Sequence, residues 1–474
     1  MNSVTGSWLL INTNVTRPPV SPVGLEYVGE TLVRAKVPVQ VLDLAFENDW
    51  KAALARALKD SAPLIVALSV RNTDDCCFAT RKSFLPWISQ VVTEVKRLSQ
   101  AFVLLGGVGF SIMPEATLRF TQADAGIAGD GEEAVLALTK CLVNSEDIYH
   151  LPNLVYLHRG NMVRNPMVNV DLQQLPVPRR QLFNNRKYEQ LGAMVGIETK
   201  RGCLQQCIFC ADPVAKGRSI RLRPPAKVVQ EFQALVTQGV SWFHLGDSEF
   251  NLPIGHAKEV CRAVIQAGLG DRIRWYTYCS PAPFDYELAS LMKRAGCAGI
   301  NFGVDSLCDE PLKRLGRTHS VEDVQQLVSL LNREELNYMF DLLIGAPGET
   351  EGTVRVTVEK ARELDVPLVG ISVGVRVYPE TPLGQAIANG SISGGLHPEG
   401  GQASHEPLFY LSPSLDSDIS GLINELVAGD TRFLVLSSPA EEGSYNYAGD
   451  EVLGQLIKDG ARGAYWDILN RNRG

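Results

Sequence analysis

Gly202-Cys203-Leu204-Gln205-Gln206-Cys207-Ile208-Phe209-Cys210 sets three cysteines at spacings of four and three, with an aromatic residue before the third. A loop of that spacing aims three thiolates at one point, and three soft thiolates suit iron–sulfur chemistry. A four-iron cube held by three cysteines leaves one iron without a protein ligand. That iron is open to a small molecule, as the free position of a catalytic metal is. Met194-Val195-Gly196-Ile197-Glu198-Thr199 reads as a strand running straight into the loop, so the cysteines sit at its carboxyl end.

Further apolar runs follow at regular intervals. Trp242 to Gly246, Ile273 to Tyr278, Gly299 to Ser306, Tyr338 to Gly345 and Gly370 to Val377 read as strands. Helical stretches separate them, among them one opened by Pro224-Pro225, then Tyr286 to Ala295 and Val321 to Asn332. Six strand–helix units predict an incomplete barrel, whose site lies at the carboxyl-end face.

CxxxCxxC with this aromatic residue resembles the signature loop of radical S-adenosylmethionine (SAM) enzymes, and the likeness extends over residues 191–390. It implies a 4Fe-4S cluster on Cys203, Cys207 and Cys210, with the open iron chelating the methionine part of SAM. Asp247-Ser248-Glu249 stands where the family has Gly-Gly-Glu. Only Glu249 carries over, as the carboxylate for the SAM ammonium. Gly303-Val304-Asp305-Ser306 is similar to the family's strand-four motif, which places Asp305 and Ser306 near the ribose or carboxylate of SAM. Leu315-Gly316-Arg317-Thr318-His319 matches the segment that follows it, where His319 is expected beside a helix start. Ile344-Gly345-Ala346-Pro347-Gly348-Glu349-Thr350 resembles the strand-five turn lining the adenosine, implicating Gly345. Arg376-Val377-Tyr378-Pro379-Glu380-Thr381-Pro382 resembles the sixth-strand motif, with Glu in place of Gly, and implicates Arg376. Phe209 is expected near the adenine.

Residues 1–145 alternate strands and helices: Trp8 to Asn12, Val39 to Asp43, Leu64 to Ser69, Phe102 to Gly107 and Ala125 to Ala128 are apolar. Helices at Val23 to Ala35, Trp50 to Leu58, Ile88 to Leu98 and Glu132 to Leu142 lie between and after them. Apolar strands of this kind belong to a parallel, doubly wound Rossmann-like sheet covered on both faces. Ligands of such sheets bind beyond the carboxyl ends of the strands. Glycines at those ends let a bulky ligand approach the backbone. The order of features is similar to the cobalamin (B12)-binding domain ahead of many radical SAM cores. The Pro-rich first loop, the double glycine Gly106-Gly107 and Gly129-Asp130-Gly131-Glu132 all match. That resemblance implicates Gly106, Gly107, Gly129 and Glu132. The departure is that no histidine precedes His150, so the Asp-x-His-x-x-Gly ligand motif is missing. Arg71 is then the candidate for the lower face of the ring, while Cys76-Cys77 read as incidental.

Residues 146–190 are punctuated by Pro152, Pro166, Pro176 and Pro178 and hold a small hairpin around Arg159-Gly160-Asn161. They are expected to link the two domains and carry no chemistry. Residues 391–474 are expected to form a small α+β domain that closes the barrel over substrate, with Tyr445, Tyr447, Tyr465 and Trp466 as aromatic contacts.

The net charge of -8 argues against broad nucleic-acid binding. No apolar run approaches the roughly 18 residues of a membrane span, and the N-terminus carries no signal-peptide pattern. The ten scattered cysteines fit a reducing cytoplasm rather than a disulfide framework. The resemblance therefore implies a radical enzyme that cleaves SAM reductively to a 5′-deoxyadenosyl radical, served by an electron donor such as flavodoxin or ferredoxin. With cobalamin in the front domain, the leading expectation is methylation of an unactivated carbon of a small organic or peptidic substrate. Ring formation, oxidation or rearrangement, and a non-catalytic regulatory protein, stay open at this point. No residue is identified as a proton donor or acceptor.

Overall fold

The computed structural model describes residues 6–399, 405–415, 418–435 and 451–472. Two seven-stranded sheets organise them. The first has the order β2-β1-β3-β4-β5-β6-β7, with β1 Trp8–Asn12, β2 Val39–Asp43, β3 Ile65–Ser69, β4 Phe102–Gly106, β5 Ala125–Ile127, β6 Leu154–His158 and β7 Asn161–Arg164. β1 through β5 are parallel, and β1 is buried at every position. That burial on both faces is why its sequence is a continuous apolar run. The hairpin expected in the linker instead adds β6 and β7 antiparallel to β5, so it belongs to the front sheet.

The second sheet is a partial barrel of parallel strands: β8 Val195–Ile197, β11 Trp242–Leu245, β12 Arg274–Cys279, β13 Cys297–Asp305, β14 Tyr338–Ile344 and β15 Val369–Val373. Short strands β9 Lys200–Arg201 and β10 Arg221–Leu222 pair around the cysteine loop. The expected sixth strand is shorter than its sequence implies. Gly374, at φ 76° with the Phe78 ring 2.5 Å from where a Cβ would sit, turns the chain out of the barrel. Val375–Val377 becomes β16 of a separate small sheet with β17 Leu396–His397 and β18 Leu408–Tyr410. A seventh parallel strand, β19 Phe433–Val435, takes the edge beside β15.

Residues 391–474 were expected to fold as a cap, but their described part is distributed over the barrel. The helix Ile419–Val427 lies against Glu351–Glu363. The last helix, Tyr465–Arg471, plugs the end of the barrel where the strands begin. There Trp466 packs with Tyr276, Met339, Leu368 and Leu434, and Asp467 accepts hydrogen bonds from Tyr276 and Asn337.

Inside the barrel, alternation along each strand sends one set of side chains to the helices and the other inward. Phe243, Trp275, Ile300, Phe302, Phe340 and Ile371 join the outer core. The alternate positions His244, Tyr278, Asn301, Gly303, Asp341 and Gly370 face the interior, which makes it polar.

The two sheets are joined by buried charges. Arg180, in the proline-punctuated linker, is fully buried between Glu26 of the front domain and Glu231 of the barrel, the latter at 2.6 Å. Tyr27 donates to Glu231 at 3.1 Å, and its ring is flanked by Arg180, Arg201 and Arg223 at 5.6–5.9 Å. Arg223 reaches Glu231 at 2.7 Å. Buried charges survive only when each finds an opposite charge, so this cluster fixes how the domains meet.

Candidate active site

The cysteine loop is held by backbone contacts that need glycines. Gly202 lies at φ 92°, and a Cβ there would stand 2.1 Å from the Ser219 carbonyl oxygen. Gly316 lets the Gln206 carbonyl pass 2.5 Å from its Cβ direction. The Cys203 amide donates to Gly217 O at 3.2 Å and the Ile208 amide to Leu315 O at 2.9 Å. The Leu383 amide, just past the strand-six turn, donates to Ile208 O at 2.8 Å. Three distant motifs therefore converge on one loop.

Cys203 and Cys207 are buried and Cys210 half-buried. Burial raises all three thiols, Cys207 to about 11, and the Asp212 carboxylate raises Cys210 further. Such a set is poorly stable as free thiolates and calls for a cationic partner. Among the described residues no three Cys, His, Asp or Glu side chains close on a point tightly enough for a lone metal ion. Three soft thiol donors on one loop suit an iron–sulfur centre by their chemistry.

Beside the loop lies a carboxylate–guanidinium group. Asp247 accepts from the Thr199 amide at 2.8 Å and the Thr199 hydroxyl at 2.5 Å, clamping the end of β8. Ser248 donates to Asp212 at 2.5 Å. These two residues, which replace the family's glycines, are thus structural. Glu249 differs. Its Oε1 stands 3.6 Å from Arg317, and its Oε2 is buried without a hydrogen-bond partner among the described residues. Burial, against the pull of Arg317, pushes it up to about 7. An orphaned carboxylate oxygen aimed into the site fits the ammonium of SAM.

Asp305, at φ 60° where β13 shifts register, also pairs with Arg317. Arg317 further lies over the Phe209 ring at 5.6 Å. The sequence placed Arg317 in a motif without giving it a role, yet it ties Glu249, Asp305 and Phe209 together. Gly345, at φ 119°, donates its amide to Glu349 at 2.6 Å, and Ala346 does so at 3.0 Å. The buried Glu349 carboxyl, raised to about 7 by burial, thereby shapes the strand-five turn.

Several expected site residues are engaged elsewhere. The Ser306 hydroxyl bonds Thr357 at 3.0 Å and caps the turn at Cys308, away from the mouth. Arg376 reaches Asp74 of the front domain at 2.7 Å and stacks over Tyr378, so it bridges domains rather than lining a SAM pocket. Burial opposes ionisation of Asp74, but Arg376 holds it below the usual carboxylate range. Glu132 is buried and receives Arg201 at 2.6 Å. His319 bonds the Val304 carbonyl at 3.1 Å, a structural role. Trp466 donates to Asn301 at 2.8 Å from the floor of the barrel, so it supports the interior instead of facing the mouth. Tyr465 is half-buried and senses the charge of Arg71. Tyr445 and Tyr447 lie outside the described residues.

In the front domain the glycines divide into two kinds. A Cβ on Gly107 would stand 2.6 Å from Val70 O, and one on Gly109 would stand 2.9 Å from the Asn72 backbone. These residues let the loops after β3 and β4 pack on each other, a need internal to the fold. Gly129 likewise faces Met167 and Asn153. Gly106, at the end of β4, keeps an open Cβ direction, its nearest neighbour 4.0 Å away. Arg71 bonds Asn72 at 3.3 Å, and its charge, after burial, helps push His244 in the barrel down to about 4. At the front sheet's carboxyl edge, the loop after β3 meets the chain leaving the barrel, where Arg376 bonds Asp74 at 2.7 Å. An open glycine edge with an arginine beside it fits a flat, bulky ligand such as a corrin.

Comparison with known proteins agrees with this geometry. Residues 197–361 match the radical SAM superfamily, and residues 10–139 match the B12 binding domain. The chain is 32% identical to tryptophan 2-C-methyltransferase of Streptomyces laurentii over 81% of its own length and 74% of the relative's. It superposes on the radical SAM methyltransferase TsrM of Kitasatospora setae, solved with tryptophan and a SAM analogue bound. That match has a TM-score of 0.90, 30% identity and 99% of both chains covered. A second structure of that enzyme, with cobalamin and a 4Fe-4S cluster bound, gives a TM-score of 0.89 at 29% identity, covering 98% and 97%. A facing pair of cofactor edges shared over the full length of such relatives leaves one assignment: the chain belongs to the radical SAM methyltransferases that carry an N-terminal B12-binding domain.

Proposed function

We propose that the chain transfers a methyl group from SAM to a carbon of tryptophan or a closely related aromatic amino acid. The observation that carries this reading is the Arg376–Asp74 pair at 2.7 Å, which holds the loop after β3 against the chain leaving the barrel. The same segment also touches the cysteine loop, where the Leu383 amide donates to Ile208 O at 2.8 Å, so the front sheet's ligand edge and the cysteine loop meet beside the barrel. When bound, the cluster supplies an electron to the SAM system and cobalamin carries the methyl group. The protein's part is positional. Cys203, Cys207 and Cys210 hold the cluster, Glu249 takes the SAM ammonium, and Arg317 orients Glu249 and Asp305 over the cysteine loop. Gly106 and Arg71 border the corrin. His244, kept neutral near pH 7 by burial and by Arg71, stands inside without adding charge.

The ten free cysteines fit a reducing compartment such as the cytoplasm. The electron source is a small carrier of the flavodoxin or ferredoxin kind. No helix of the described residues is long and apolar enough to cross a membrane.

Anaerobic purification with corrinoid supplied, followed by methyl-labelled SAM and tryptophan, tests the reading. The expected results are bound corrinoid and labelled methyltryptophan by mass spectrometry. Absence of corrinoid after reconstitution overturns it. Consumption of SAM without label in any product favours a ring-forming or oxidising outcome.

Glu249 gives a pH signature. Its carboxyl must be ionised to hold an ammonium, and its folded pKa is raised to about 7. SAM affinity should strengthen as pH rises through about 7 and fall about tenfold per unit below it. Glu249→Gln should weaken SAM about 10- to 100-fold and flatten that profile. Equilibrium dialysis of SAM against the cluster-loaded protein between pH 6 and about pH 8 reads both.

A further inference from the structure

The polar interior of the barrel holds one carboxylate that nothing else in the site explains. Asp341 is the fourth residue of β14, on the inward face. It lies between Gly303 of β13 and Gly370 of β15 in register. Asn301 donates its side-chain amide to Asp341 Oδ2 at 3.0 Å. Asn301 is itself oriented from below, because its Oδ1 accepts the Trp466 indole N–H at 2.8 Å. A Cβ on Gly370 would stand 3.2 Å from Asp341 Oδ1 and 2.6 Å from Met339, so glycine there makes the room Asp341 occupies. The chain thus spends a tryptophan, an asparagine and a glycine on fixing one carboxylate.

What it lacks is a counter-charge. The neighbouring carboxylates are matched: Glu249 and Asp305 share Arg317, and Asp467 pairs with Arg471 at 3.0 Å. Among the described residues no Lys, Arg or His pairs with Asp341, and its Oδ1 accepts no hydrogen bond. A half-buried acid in that state costs free energy unless something positive joins it. Its place is one layer below the SAM site, since Arg317 fills the space over Gly303 at 3.1 Å. The same interior face carries an aromatic pair. His244 and Tyr278 stand edge to face at 5.6 Å, and Tyr278 is 41% exposed although it points into the barrel.

We propose that Asp341 anchors the cationic amino group of the substrate while its aromatic ring lies against His244 and Tyr278. The substrate class is then an aromatic primary amine or amino acid, recognised through its ammonium. This rests on the barrel interior being the substrate site, and it deepens the methyltransferase reading by naming a specificity residue. Glu249 is already assigned to SAM, so the two ammonium groups have separate carboxylates.

The test compares each amine with its deaminated counterpart on the cofactor-loaded protein: tryptophan with indole-3-propionate, phenylalanine with 3-phenylpropionate. Calorimetry on wild type and Asp341→Asn reads the affinities. Wild type should prefer the amine in at least one pair. Asp341→Asn, which keeps the hydrogen bond from Asn301, should weaken that amine about 10- to 100-fold while binding the deaminated partner as well as wild type or better. In turnover the loss should fall on KM more than kcat. Retained binding of the deaminated ligand shows that the variant is folded. Equal weakening of both members, an unchanged amine affinity, or no amine preference in any pair overturns the proposal. If phenylalanine rather than tryptophan shows the Asp341-dependent preference, the tryptophan assignment fails and the anchor stands.

Discussion

Replacing Cys207 with alanine is expected to abolish methyl transfer and bound iron together, the largest single-residue effect in this protein. Losing an outer partner of a metal ligand costs about 10- to 100-fold, and losing one of three ligands costs more. The loop offers no substitute. Its remaining thiols are Cys203 and Cys210, and Cys279 and Cys297 are committed to the barrel strands. The positive charge of Arg317 also partly offsets the burial of Cys207. The alanine variant should still fold, because Ile208 keeps its backbone bonds to Leu315 and Leu383. Iron content, the visible absorbance of the anaerobic protein and labelled-methyl transfer check the outcome. Cys76→Ala, outside the loop, should leave iron content unchanged. Retained iron and activity in Cys207→Ala would remove the cluster from the assignment.

Much of this arrangement was legible in the sequence because its signals are local. Parallel strands buried on both faces must be apolar, so β1, β3 and β4 announce themselves. The cysteine loop, the strand-five turn and Glu249 are short motifs whose chemistry is carried by adjacent residues. Contacts between distant segments left no such trace. Nothing near Arg376 in the chain points to Asp74, and nothing near Glu132 points to Arg201. Ser306 and Trp466 have residue types that suit a site, but their neighbours in space direct one to a helix and the other to the barrel floor. The glycines at the end of β4 illustrate a related ambiguity: Gly107 and Gly109 meet the chain's own backbone, while Gly106 meets open space. The interior residues did leave a signal that was missed. Trp242-Phe243-His244-Leu245 and Tyr338-Met339-Phe340-Asp341 put a polar group on the alternate face of otherwise apolar strands. In a parallel sheet curled into a partial barrel that pattern marks a lined interior.

Arg201→Met should damage stability and catalysis together, because Arg201 joins the cysteine loop to the front domain. It immediately precedes Gly202-Cys203, and its guanidinium reaches Asp130 at 2.9 Å, Glu132 at 2.6 Å and Glu198 at 3.0 Å. Arg221 is a second partner for Asp130, but Glu132 has only Arg201 among the described ion pairs. Removing one partner of a buried charge set costs about 3–5 kcal/mol, most of it from the charges left unpaired. Denaturant unfolding should show that loss, with the front domain melting ahead of the barrel instead of with it. Arg201→Lys keeps the charge but not the planar fork that spans two carboxylates, so it should recover only part of the stability. Adding Asp130→Asn and Glu132→Gln to Arg201→Met should restore much of the stability by removing the orphaned charges. It should not restore turnover. A displacement of about 1 Å between reacting groups can cost about 100-fold in rate, and this contact sets the distance between the front sheet's edge and the cysteine loop. Stability regained without activity separates positioning from folding. A triple variant that recovers both would mean that the Arg180 and Tyr27 cluster alone registers the two domains.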